Sequence, residues 1–82
     1  MESIMERFER LVKESKLELK NIGINIDNDI VYEIDTRSKT RLGAFYRKQK
    51  KIKISEFMFN FNDTYIKNTI IHEMLHSLPR NR

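Results

Sequence analysis

From Glu2 to Asn21 the apolar residues Ile4, Met5, Phe8, Leu11, Val12 and Leu19 recur at three- and four-residue intervals. That spacing gathers them on one face of an α-helix. Gly23 follows where a helix C-terminus favours glycine, so a helix is expected within residues 1–23. Asn25 to Asp29 is rich in turn-forming Asn and Asp, and Ile30, Tyr32 and Ile34 then alternate with more polar neighbours as in a strand. A polar turn, Thr36 to Thr40, leads to a second extended run, Arg41 to Lys48, with Leu42, Ala44 and Tyr46 expected to point inward and Phe45 assignable to either face. Lys51-Ile52-Lys53-Ile54 alternates again and should pair with the second run as a hairpin. The three strands together predict a small antiparallel sheet over residues 30–55. Phe57-Met58-Phe59-Asn60-Phe61 fits neither period and is read as irregular apolar packing. Asn62 or Asp63 can cap a last helix running to about Leu78, where Pro79 should stop it, placing that helix in residues 62–79. The order helix, three strands, helix predicts an α+β fold.

A length of 82 residues argues for one domain with a small core, which a bound metal could help to hold together. The chain has no cysteine, so disulfides, thiolate metal sites and cysteine nucleophiles are excluded, and any transition metal must use nitrogen or oxygen ligands. No segment is long and apolar enough to cross a membrane, and the first residues lack the apolar run of a signal peptide. A cytoplasmic location, in a bacterium or a phage-infected cell, is the expectation. Net charge is +4, but eight basic and no acidic residues fall between Thr36 and Ser55: Arg37, Lys39, Arg41, Arg47, Lys48, Lys50, Lys51 and Lys53. The rest of the chain is therefore net acidic.

Candidate chemistry sits on the last helix, in His72-Glu73-Met74-Leu75-His76. At about 100° per residue, Ile66, Ile70, Ile71, Met74, Leu75 and Leu78 cover one half of that helix, and Tyr65, Thr69, His72, Glu73 and His76 the other. Histidines four apart lie one turn above each other, so both imidazoles can reach one ion, and zinc accepts imidazole nitrogen without straining the helix. In an HExxH site the glutamate, here Glu73, is the base that takes a proton from water activated by the metal.

With Arg41-Leu42-Gly43-Ala44-Phe45-Tyr46, the strand Ile52-Lys53-Ile54-Ser55 and the run from Asn68 to Pro79, the second half of the chain resembles the SprT-like zinc-metallopeptidase family. The resemblance implies that His72 and His76 are Zn²⁺ ligands and Glu73 the general base. It also implies a third ligand, a histidine in a His-Gly pair beyond the second, whereas only Ser77 to Arg82 follow here. The remaining donors open to sequence reasoning are an upstream carboxylate such as Asp35, Glu56 or Asp63, a second copy of the chain joined through the metal, or water.

With the ligand set incomplete, the sequence is read as a zinc-binding interaction protein that does not catalyse, comparable in size to the compact inhibitors of phages and mobile elements, the anti-CRISPR proteins among them. The basic residues from Arg37 to Lys53 would then meet a protein partner such as a nuclease or another nucleic-acid-handling protein. A SprT-like metallopeptidase using Glu73, or a fragment of one, is the first alternative. The second is direct nucleic-acid binding, with Phe45 and Tyr46 stacking on bases.

Overall fold

The computed structural model describes residues 1–38 and 40–79. Its elements are α1 (Ile4–Asn21), β1 (Val31–Asp35), β2 (Gly43–Tyr46), β3 (Lys51–Ser55), a 3-10 turn (Glu56–Asn60) and α2 (Asp63–His76).

Helix α1 begins in a reciprocal cap: the Glu6 amide donates to Ser3 Oγ at 3.1 Å and the Ser3 amide to Glu6 Oε1 at 2.8 Å. It ends at Gly23, whose φ of +86° lets the chain reverse while its amide and that of Ile24 close on the carbonyls of Lys20 and Leu19. Helix α2 is capped by Asn62, whose side chain accepts from the Tyr65 amide at 2.9 Å. Asp63 is thereby left to Arg7 and Arg10 of α1, at 2.8 and 3.0 Å. Arg7 also donates to the carbonyls of Phe59 at 2.9 Å and Phe61 at 2.6 Å, tying α1 to the 3-10 turn as well as to α2.

The sheet order is β1-β3-β2, with β3 in the centre. β2 and β3 are antiparallel as expected, but β1 runs parallel to β3, so the sheet is mixed rather than antiparallel throughout. Ile52 and Ile54 are fully buried and join Phe8, Leu11, Met58, Ile66, Ile70 and Met74 in one core. Register with β3 puts Gly43 opposite Ile54 and Phe45 opposite Ile52, on the core side. Ala44 and Tyr46 pair with Lys53 and Lys51 on the other side, which corrects the expected inward pair; Leu42, just before the strand, does pack on the core. Gly43 explains the slip. Helix α2 crosses so closely there that a Cβ would stand 3.0 Å from Thr69 Cγ2 and 3.2 Å from Ile54 Cδ1. Only glycine can occupy that inward position unless the neighbours give way.

Candidate metal centre

Helix α2 is rotated relative to the expectation. Its buried residues are Ile66, Ile70, Glu73 and Met74, while Leu75 is 44% exposed. The buried face is displaced by about 60° toward β2, since Gly43 admits Thr69 and Glu73 to close contact where any larger residue would push them out. Glu73 therefore leaves the polar half assigned to it. It is 8% exposed, with its Cγ beside Gly43 and no side-chain hydrogen bond or ion pair among the described residues.

His72 and His76 stay on the solvent side, one turn apart, and their rings turn toward each other with centroids 4.5 Å apart. Their Nε2 atoms converge to 3.1 Å. One neutral imidazole donating to the other accounts for that distance. Two nitrogens about 2.05 Å from a tetrahedral zinc would stand about 3.3 Å apart, so the observed separation is close to the one such an ion requires. The pair fits two corners of a zinc site.

The upstream carboxylates do not complete it. Asp35 accepts from the amides of Arg37 and Ser38 at 2.9 and 3.2 Å, and these bonds hold its carboxyl below the usual range. Asp63 is taken by Arg7 and Arg10, whose hydrogen bonds depress it likewise. Glu56 opens the 3-10 turn. Among the described residues no three His, Asp or Glu side chains gather where they could hold an ion.

Strand β2 runs alongside α2 in the same direction: Gly43 lies against Thr69 and Glu73, and beyond the far end of the strand Arg47 Nη2 donates to the His76 carbonyl at 3.0 Å. As an edge strand it has one side unpaired in the sheet among the described residues, and around α2 the histidines follow Thr69, which lies against Gly43, on the side away from the core. Arg47 thus caps the helix that carries the histidines, where a cation suits the helix dipole, and its guanidinium lies 5.3 Å from the Phe45 ring centroid. Of the other basic residues singled out from sequence, Lys50 pairs with Asp27 at 2.9 Å, Lys51 with Glu33 at 3.2 Å, and Lys53 lies over the Tyr46 ring. Arg41 Nη1 reaches the Tyr46 hydroxyl at 3.4 Å, Arg37 and Lys48 are exposed, and Lys39 lies outside the described residues. Gly43 and Thr69 are site-shaping residues that sequence reasoning passed over; a glycine inside a strand pattern was the available signal.

No helix of the described chain is long and apolar enough to cross a membrane. Searches of curated proteins and of solved structures gave no match. The sequence model of the SprT-like family does match, over residues 1–79, so that the likeness seen in the second half extends through α1 and β1: the chain belongs to the SprT-like family.

Proposed function

We propose that this chain is the zinc-binding core of a SprT-like metallopeptidase, with His72 and His76 as ligands and Glu73 as general base. The observation that carries the reading is the convergence of the two Nε2 atoms at 3.1 Å on a helix face bordered by an unpaired strand edge. Bound zinc would supply the Lewis acidity that makes water a nucleophile near neutral pH and polarises a peptide carbonyl. The chain's own residues do the rest. The β2 edge offers main-chain donors and acceptors that can align an extended peptide beside the histidine-bearing helix. Glu73, without a side-chain partner among the described residues, can accept a proton from water and return it to the leaving amine.

Two imidazoles leave a catalytic zinc short of a protein donor. The source of that donor, a further segment or a second copy of the chain, is part of what the experiment reads. The family match and the unengaged Glu73 favour this function over the non-catalytic inhibitor, for which neither the fold nor the comparisons offer a distinguishing observation.

Elemental analysis of the purified chain should find zinc, and His72→Ala and His76→Ala should each lose it. X-ray absorption should count two imidazoles per ion, or four if two copies share it. Zinc-dependent cleavage of an unfolded protein such as casein, abolished in Glu73→Gln, is the expected activity. Zinc-free protein whose melting is unchanged in both histidine variants would overturn the proposal.

A further inference from the structure

Three aromatic side chains form a shelf where the 3-10 turn meets the start of α2. Phe57, Phe61 and Tyr65 are 45%, 39% and 43% exposed, yet their rings are ordered edge to face in sequence, Phe57 on Phe61 at 5.5 Å and Phe61 on Tyr65 at 5.1 Å between centroids. Solvent exposure of three rings in one row is a cost that the core does not explain, because Met58 and Phe59 of the same turn are the ones buried.

The shelf is also held rigidly. Arg7 donates to the carbonyls of Phe59 and Phe61, Asn60 Nδ2 donates to the Phe57 carbonyl at 3.1 Å, and the Phe57 amide donates to Ser55 Oγ at 3.2 Å. A surface fixed before anything binds loses little entropy on binding.

Its position gives it a use. Tyr65, His72 and His76 fall within about 40° of one another around α2, so Tyr65, the last ring of the shelf, shares a stripe with the histidines. Tyr65 precedes His72 by two turns, about 10 Å along the axis. Because β2 runs in the same direction as α2, an extended chain paired to its edge would follow the same axis. At about 3.3 Å per residue it would reach the shelf three or four residues from the bond held at the histidines.

We infer that Phe57, Phe61 and Tyr65 form a specificity subsite that receives an apolar, preferably aromatic, side chain of a peptide substrate three or four residues from the scissile bond. This rests on the metallopeptidase reading.

The test uses the zinc-loaded chain and quenched fluorescent peptides carrying Phe three or four residues to either side of the cleaved bond, each matched to a peptide with Ser there. Phe on one side should lower KM about tenfold, the effect of partly burying an aromatic ring, with kcat little changed. The double variant Phe57→Ser, Phe61→Ser, with folding checked by circular dichroism, should cut kcat/KM for the Phe peptide about tenfold. Phe57→Leu, Phe61→Leu should restore part of the preference. Equal KM values for both peptides, or a preference that survives in the double Ser variant, would overturn the subsite. Anisotropy of the same labelled peptides separates the two proposals: selective binding of the Phe peptide without cleavage refutes the peptidase and keeps the shelf, whereas neither binding nor cleavage refutes both.

Discussion

Replacing Gly43 by alanine tests the contact on which the site's geometry depends. The new Cβ would meet Thr69 Cγ2 at 3.0 Å, Ile54 Cδ1 at 3.2 Å and Glu73 Cγ at 3.4 Å. Two of these neighbours have little room to give. Thr69 is β-branched on a helix, with its Oγ1 donating to the Tyr65 carbonyl at 3.1 Å, and Ile54 is fully buried. Overpacking of this kind costs about 1–3 kcal/mol, while exchanging a strand glycine for alanine returns roughly 0.5–1 kcal/mol of backbone entropy. The net expectation is a loss of about 1–2 kcal/mol, or roughly 5–15 °C in melting temperature for a domain of this size. Thr69→Ser removes the clashing methyl and keeps the hydroxyl. Combined with Gly43→Ala it should recover stability, giving a coupling of about 1 kcal/mol in a double-mutant cycle read by urea denaturation. A Gly43→Ala protein that melts with the parent, or two substitutions that simply add, would show that β2 and α2 are not packed as described.

Two further outcomes concern titrating groups. The Tyr32 hydroxyl is buried without a hydrogen-bond partner among the described residues, and burial pushes the phenol up to about 12. The folded state thus holds its proton more tightly than the unfolded chain, so stability should fall as pH rises between about 10 and 12. Tyr32→Phe should remove that fall and raise neutral stability by about 1 kcal/mol, as read by thermal melts across pH. Asp63 behaves oppositely: Arg7 and Arg10 depress its carboxyl, so its contribution is full above the unfolded value near 4 and is lost as pH falls through the lower folded value. Asp63→Asn should therefore flatten the acid limb of the melting curve, and an unchanged limb would refute the link between α1 and α2.

What the sequence displayed well was whatever depends on near neighbours. Gly23, Asn62 and the hydrophobic spacing of α1 are local signals, and the helix boundaries follow from them to within a few residues. The partner of β1 was hidden, because alternation of Ile30, Tyr32 and Ile34 is the same whether the neighbouring strand runs parallel or antiparallel. The 3-10 turn was hidden for another reason. Its apolar residues divide between core and solvent without a helical or strand period, and the bonds that hold it come from Arg7, more than fifty residues away.

The facing histidine pair was legible and the orientation of its helix was not. Counting apolar side chains gave Leu75 to the core and Glu73 to solvent, and the fold reverses both. Apolarity says which residues prefer burial, but close approach at Gly43 decides which side of α2 is covered, and a glycine contributes nothing to a hydrophobic count.

The basic segment changes meaning for a related reason. In sequence it is one tract of like charge, yet among the described residues Lys50 and Lys51 are the two that meet carboxylates, while Arg47 caps α2 and Lys53 and Arg41 gather at Tyr46. Exposed pairs such as these add little stability, so the charge not so neutralised remains available for long-range attraction. Arg41 and Lys48 lie just beyond the two ends of β2, the strand that borders the histidine stripe. A tract that first suggested a separate docking face is thereby brought beside the helix that carries the histidines, and under the proposed function its field would draw acidic segments of a peptide toward them and weaken as salt is added.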